Sequence, residues 1–437
     1  MIMEIVEKVR EAGIVGAGGA GFPTHIKLSS ETEILIVNGA ECEPLLRVDQ
    51  QILPKEKTLF LRGLQAASEA VKAKRVFVAL KPKYKKAIEA LRGEGPFELF
   101  ILGDFYPAGD EQILVYDVTG RIVPEGGIPL NVGCVVLNVE TVINIGKALD
   151  GQPVTEKYVT VGGAVANPST FKLPVGTPVR DAIELAGGSL VEDFFLIDGG
   201  PNTGKLIPSL DYPILKTTKA ILLFPKSHPL WGKFFPNLKA VLNRAVSTCC
   251  NCRECTELCP RYLLGHSMEP HLIMKVLSWR LAEEDKLTEA YLCCDCGLCE
   301  NYSCPMGLSP RRIIQSLKQK LMENKVPNPH RKQPTSTRAL FSAKRVPTSR
   351  LISRLGLSQY NLPAPLKEID YKPNYVVLPL KQHAGAPAKP VVKVGDRVRK
   401  GDLIADIPDG ALGAKLHSSI DGVVRSVTAE AIRIEKE

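Results

Sequence analysis

Ten of the twelve cysteines in this 437-residue chain lie between Cys249 and Cys304, and no other feature restricts its folding as tightly. The first group, TCCNCRECTELCP, sets Cys249, Cys252, Cys255 and Cys259 at C-x2-C-x2-C-x3-C-P. The second, LCCDCGLCENYSCP, repeats those intervals at Cys293, Cys296 and Cys299, but its fourth cysteine, Cys304, comes one residue late. Three thiolates in a short loop can hold three corners of a [4Fe–4S] cube, and a remote fourth cysteine before a proline completes another. Zinc is the alternative, but zinc sites usually pair two cysteines with a distant second pair rather than placing three in series. The N-terminus, MIMEIVEKVREAG, carries acids where a signal peptide has its apolar stretch. No apolar run approaches the roughly 18 residues of a membrane helix. A cytoplasmic chain with reduced thiols is expected, and there a dozen cysteines argue for metal over disulfides.

By analogy with two-cluster ferredoxins, Cys249, Cys252, Cys255 and Cys304 are assigned to one cluster, and Cys293, Cys296, Cys299 and Cys259 to the second. Cys250 and Cys294 hold equivalent extra positions and read as bystander thiols in a duplicated half-ferredoxin. Between the groups, Leu272, Val276 and Trp279 fall at helical spacing. After them, Ser309 and Pro310 read as an N-cap and first helical residue, followed by Ile313, Ile314, Leu317 and Leu321. Such helices form a dry shell around clusters. The module moves single electrons and performs no bond chemistry.

The N-terminal third supplies a different kind of site. In VGAGGAGFPTHIKL, Gly16, Gly18 and Gly21 satisfy G-x-G-x-x-G, but that dinucleotide fingerprint must follow a strand and open a helix. Here Ile5, Val6 and Val9 precede it at helical spacing, so a glycine loop approaching a phosphate, with Lys27 nearby, is the better reading. EILIV (33–37), RVFVAL (75–80) and FELFIL (97–102) read as strands alternating with helices near 57–73 and 83–92, an α/β layered domain. Ligands in such sheets sit beyond the carboxyl ends of strands, where Asn38, Glu41 and Glu43 fall. Cys134 reads as a buried thiol.

GAGGAGFPT, NGAECEP (38–44), YPAGDE (106–111) and LNVETVINI (137–145) together resemble the flavin- and NADH-binding domain of the complex I flavin subunit, and more closely the C subunit of Rnf electron-transport complexes. The resemblance implies FMN held by Gly16, Gly18, Gly19, Gly21, Lys27, Asn38 and Asn138, with Thr141 close by. It implies NADH stacked on the flavin, with Glu41 and Glu43 near its ribose and Gly109, Asp110 and Glu111 lining the pocket. Three positions depart from the complex I pattern: Ala17 replaces an arginine, Ala40 an acid and Cys42 a serine.

The expected fold is multidomain α/β. It comprises a Rossmann-like flavin domain (1–152), a β-grasp domain resembling soluble-ligand-binding β-grasp (SLBB) units (153–240), and an α-helical two-[4Fe–4S] ferredoxin-like module (241–324). A Pro-, Ser-, Lys- and Arg-rich stretch (325–372) reads as an extended, solvated linker. The tail (373–437) resembles the barrel-sandwich fold of biotinyl and lipoyl domains, without the modified-lysine hairpin, so Lys415 carries no swinging arm. A barrel placed last is the order found in propanediol-utilisation cobalamin reductases of the PduS type. That resemblance implies an NADH-dependent oxidoreductase, hydride passing to FMN and single electrons through the clusters to a corrinoid, with no side chain acting as general base. An adenosyltransferase or a microcompartment is then a candidate partner. The alternatives are an Rnf-type subunit serving ferredoxin or a membrane partner, and a non-enzymatic electron carrier or scaffold. The net charge of +9 is too slight to argue for nucleic acid.

Overall fold

The structure is a computed structural model that describes residues 2–437. Its first unit opens with α1 (Ile2–Glu11) and α2 (Thr24–Leu28), then β1 (Ile34–Gly39), α3 (Asp49–Lys55), α4 (Lys57–Ala70), β2 (Arg75–Leu80) and α5 (Lys85–Leu91). It continues with β3 (Glu98–Ile101), β4 (Phe105–Tyr106), α6 (Glu111–Thr119), β5 (Cys134–Asn138) and α7 (Val139–Ala148). Four strands form a parallel sheet in the order β3-β2-β1-β5. The apolar runs of β1, β2 and β5 are buried on both faces, as a helix-covered parallel sheet requires, whereas β3 is the part-exposed edge. Helices α4 and α7 touch backbone to backbone: a Cβ on Gly63 would collide with the Val142 carbonyl, and one on Gly146 with the Leu59 carbonyl.

The second unit contains β6 (Glu156–Gly163), β7 (Ser169–Pro174), α8 (Val179–Leu185), β8 (Phe194–Asp198), β9 (Lys205–Ile207) and β10 (Ala220–Pro225). The mixed sheet packs over α8, with Val179, Ala182 and Ile183 buried. The cluster unit is built of short helices: α9 (Trp231–Phe234), α10 (Leu238–Thr248), α11 (Glu254–Glu257), α12 (Pro260–Leu263), α13 (Pro270–Trp279), α14 (Glu284–Thr288) and α15 (Pro310–Glu323). Val276 is buried on α13, but Trp279 at its end is exposed. Ser309 stands at the N-cap of α15 and Pro310 opens it, although the serine side chain makes no capping hydrogen bond.

The stretch 325–372 is not a solvated linker. Its middle folds as β11 (Val346–Pro347), α16 (Thr348–Arg354) and β12 (Leu366–Lys367), a strap across three units. β11 pairs with β4 of the first unit, and β12 adds a parallel sixth strand beside β7. Phe341, Val346, Leu351, Ile352, Leu355 and Leu357 are buried. Thr348 donates to Asp104 at 2.9 Å, and the buried Lys81 ammonium sits 2.9 Å from the same carboxylate. A few apolar anchors dispersed among polar residues decide the outcome, and average composition conceals them.

The last unit has seven strands: β13 (Tyr375–Pro379), β14 (Lys389–Pro390), β15 (Arg397–Val398), β16 (Leu403–Asp406), β17 (Leu416–His417), β18 (Gly422–Val427) and β19 (Ala431–Glu435). They form two sheets, β13-β19-β18-β15 and β14-β16-β17, enclosing one apolar core. Lys415 is buried and paired with Glu11 at 2.8 Å. The Ala384 amide donates to the Gly21 carbonyl at 3.0 Å, so this unit braces the glycine loop from behind.

Candidate functional site

A cavity of about 300 Å³ opens at the carboxyl ends of β1 and β5. Its wall includes Gly16, Gly18, Lys27, Asn38, Glu41, Glu43, Gly109, Glu111, Asn138 and Thr141, ten of the thirteen residues singled out in the sequence. The glycine loop lies between α1 and α2 rather than between a strand and a helix, so it is not a dinucleotide fingerprint. Its Ala17 amide donates to Thr141 Oγ1 at 3.0 Å, which ties the loop to the first turn of α7. Asn138 caps that helix by accepting from the Glu140 amide at 3.2 Å. Lys27 Nζ lies 3.0 Å from both Glu111 Oε1 and the Val136 carbonyl. Asn38 donates to the Gly109 carbonyl at 2.9 Å, and Gly109 approaches Cys42 so closely that a Cβ there would lie 3.1 Å from the sulfur.

Three expected residues fall outside the cavity wall. Gly19 and Gly21 serve the loop's path instead, with φ of +110° and +64°. Gly21 also runs close against Thr217 and His383, where a side chain would not fit. Asp110 is taken up elsewhere: its carboxylate caps α6 through the Gln112 and Ile113 amides and forms a two-pronged ion pair with Arg261, at 2.6 and 2.9 Å. It joins the flavin domain to the cluster unit.

Glu41 and Glu43 do line the wall, but both carboxylates are already engaged. Glu41 accepts from the Val48 and Asp49 amides and from Gln50. Glu43 accepts from the Asn202 and Thr203 amides at 3.1 Å, from Thr203 Oγ1 at 2.9 Å and from Tyr106 at 3.0 Å. Burial raises both carboxyls above the usual range, and for Glu41 the neighbouring Asp49 adds to it. Burial pushes the Cys42 thiol up to about 11, so it stays protonated. The sequence reading missed Asp49 and Lys219, which also line the cavity. Lys219 comes from the β-grasp domain, just before β10, and only the docking of two domains brings it there.

The two cysteine groups are folded as a true repeat. Asn251 and Arg253 have positive φ (52° and 66°), and so do their counterparts Asp295 and Gly297 (62° and 76°). The late fourth cysteine has a local explanation. Cys255 sits in the α-helical turn α11, whereas Cys299–Ser303 is a π-helical turn that absorbs one extra residue before Cys304. Cys249, Cys252, Cys255 and Cys304 surround one small cavity, together with Cys250 and His271. Cys259 packs in the same apolar cluster as Cys293. Cys304 thus lies with the first triplet and Cys259 packs with Cys293 of the second, as a crossed pair of thiol sets requires. The Asp295 amide donates to Cys293 Sγ at 3.4 Å, the kind of contact that tunes a cluster potential. Burial pushes Cys255 up to about 12, so cluster assembly must displace its proton. Cys134 is a fully buried strand thiol.

The second cysteine loop abuts the flavin cavity. Tyr106, 2% exposed, places its hydroxyl 3.0 Å from Glu43 Oε1 on the cavity wall and 2.7 Å from the Cys296 carbonyl. Arg311 pairs with Asp295 at 2.6 Å and also donates to the Asn202 carbonyl. The β-grasp turn at 199–204 thus holds Glu43 on one side and the cluster loop on the other. The first loop lies further out, with Cys249, Cys250 and Cys252 exposed.

Comparison with known proteins agrees with this layout. Residues 9–147 match the Nuo51 FMN-binding domain, 158–204 the SLBB domain, 248–309 the 4Fe-4S dicluster domain, and 361–437 the RnfC barrel sandwich hybrid domain. Fold, cavity and cysteine loops define a flavo-iron–sulfur electron-transfer protein whose cofactors are FMN and two [4Fe–4S] clusters. The chain is 45% identical to the cobalamin reductase PduS of Salmonella typhimurium over 99% of its own length and 96% of the relative's. It is likewise 45% identical to that of Citrobacter freundii, over 98% and 96%. A component of the proton-translocating ferredoxin:NAD(+) oxidoreductase complex of Clostridium ljungdahlii, its C subunit, is 36% identical over 66% of this chain and 62% of that one. The chain belongs to the PduS family.

Proposed function

We propose that the protein is an NADH-dependent reductase that delivers single electrons, through FMN and two [4Fe–4S] clusters, to a corrinoid. The observation that carries this reading is the single side chain, Tyr106, that spans from the flavin cavity wall to the second cysteine loop. The bound flavin supplies hydride acceptance and release of single electrons, and the clusters supply one-electron conduction. The chain's own residues orient and insulate. The glycine loop and α7 would hold the phosphate-bearing end of the ligand through backbone amides, beside Lys27, whose charge is shared with Glu111. Glu43, fixed by five hydrogen bonds, and Tyr106 keep the cavity floor rigid against the inner cysteine loop. The inner set (Cys293, Cys296, Cys299, Cys259) would hold the cluster nearer the flavin cavity, and the outer set (Cys249, Cys252, Cys255, Cys304) would hold the one open to an acceptor.

The corrinoid is favoured because relatives spanning the whole chain are named cobalamin reductases. No helix among the described residues is long and apolar enough to cross a membrane. A corrinoid presented by an adenosyltransferase, in the cytoplasm or a microcompartment, fits an exposed outer loop. The partial match to a component of a ferredoxin:NAD(+) oxidoreductase favours ferredoxin as the second reading. The test is an anaerobic acceptor panel under NADH, comparing cob(III)alamin, ferredoxin and a quinone analogue. Cob(III)alamin reduction at the highest rate is expected. If NADH does not bleach the flavin band of the FMN-loaded protein, the NADH reading is wrong; a preference for ferredoxin refutes the corrinoid.

A further inference from the structure

We propose that the β-grasp domain completes the flavin site: Lys219, held by Asp49, contacts the bound cofactor and is not simply a joint between two domains. The inference rests on the flavin reading of the cavity given above. Two buried ion pairs cross from the flavin domain to the β-grasp domain, and they differ in a telling way. In one, Lys157 meets Glu140 Oε2 while the Tyr158 amide donates to Oε1 at 3.1 Å, so both carboxylate oxygens are used. Neither side chain lines the cavity, and each is 1% exposed. This pair suffices to staple the domains.

In the other pair, Lys219 and Asn138 both donate to Asp49 Oδ2, the asparagine at 3.3 Å. Asp49 Oδ1 is fully buried and has no hydrogen-bond partner. An ammonium has three donor positions, and Lys219 spends one, on Asp49. Buried polar atoms are almost always paired. Both residues line the cavity, which puts the unspent donor positions of Lys219 within reach of a group held inside it.

A flavin offers the matching groups: carbonyl, hydroxyl or anionic phosphate oxygens that can accept from the ammonium of Lys219. Charge points the same way. The wall carries the carboxylates Glu41, Glu43, Asp49 and Glu111 against the ammoniums Lys27 and Lys219, and Lys27 is already paired with Glu111. Loss of Lys219 would leave Lys27, itself paired with Glu111, as the remaining ammonium on this wall. A cation there also favours the reduced flavin, which carries more negative charge on its pyrimidine ring. Lys219 lies beyond the stretches matching the FMN-binding and SLBB domains, so neither likeness assigns it a role.

The test uses the full chain, purified anaerobically with its clusters, stripped of flavin and titrated with FMN and with riboflavin. FMN affinity is read by fluorescence quenching and the flavin midpoint potential by spectroelectrochemistry. Lys219→Met is expected to weaken FMN binding about tenfold or more and to lower the potential. Loss for FMN alone places the lysine at the phosphate; equal loss for riboflavin places it at the ring or ribityl chain; either supports the contact. Lys157→Met is expected to lower thermal stability and leave both flavin readouts at wild-type values. If Lys219→Met does not fold, Lys219→Gln carries the same comparison. A folded Lys219 variant with unchanged affinity and potential overturns the inference, as does Lys157→Met shifting both readouts equally. Failure of the wild-type chain to bind FMN would instead refute the flavin reading itself.

Discussion

Arg261→Met should loosen the cluster unit from the flavin domain while leaving each intact. Arg261 directly follows the Cys259–Pro260 step, and its guanidinium grips both oxygens of Asp110 at 2.6 and 2.9 Å. The two side chains are only 9% and 14% exposed, so solvent screens the pair weakly. Burial opposes the guanidinium's charge, but Asp110 more than offsets that and keeps it protonated. Removing one partner of a buried pair typically costs about 3–5 kcal/mol because the other charge is stranded. Here Asp110 retains two backbone amides at the start of α6, which lowers the expected loss to roughly 2–4 kcal/mol. At about 2–4 °C per kcal/mol for units of this size, the first thermal transition should fall by roughly 4–16 °C. Asp110→Asn alone should be at least as harmful, since it strands the buried guanidinium, and the double variant should recover part of the loss. A coupling energy of roughly 1.5–3 kcal/mol from the double-mutant cycle is expected. Stopped-flow absorbance should show flavin reduction by NADH at the wild-type rate and slower cluster bleaching. If the single variants are within about 0.5 kcal/mol of wild type and additive, and cluster bleaching is unchanged, the pair does not join the two units.

Two further outcomes test the scaffold. Burial raises the Asp198 carboxyl to about 6, from an ordinary value near 3.8, although Thr218 donates to it at 3.1 Å. The folded chain therefore holds more protons than the unfolded one between those values, so stability falls as pH rises from about 4 to 6. Asp198→Asn should flatten that slope in urea titrations and stabilise the protein at pH 7.5 by roughly 1–3 kcal/mol; an unchanged slope refutes the assignment. Gly146→Ala should destabilise the flavin domain, because its Cβ meets the Leu59 carbonyl and α4 must move off α7. A loss of about 2 kcal/mol or more is expected by denaturant titration, against a gain if only helix propensity mattered.

Some of this architecture is written in local pattern. The strands RVFVAL and EILIV, the helix after Ser309 and the paired cysteine loops follow from runs of apolar residues, a proline and fixed spacing, all short-range signals. The β-grasp unit and barrel were legible through turn residues and family likeness together. The strap at 325–372 was not, because its anchors, such as Val346 and Leu351, are too few to shift a composition average. Nor was the fate of Asp110, which sits in a cofactor-like motif but faces Arg261, 151 residues away.

The sequence by itself determined that this protein would carry two thiolate sets for iron–sulfur clusters, since ligand number and spacing are properties of short loops. It also determined, through four ordered motifs, that a flavin domain would precede them. The crossed pairing of the sets was an analogy at that level; the tertiary structure supplies its physical basis, a π-helical turn and the packing of α11 against the second loop, which bring Cys304 and Cys259 toward the opposite groups. Only the tertiary structure decided that the β-grasp domain reaches the flavin cavity through Lys219. Contacts between residues 170 positions apart are set by how finished units dock, and that is governed by buried charge and shape rather than by local pattern.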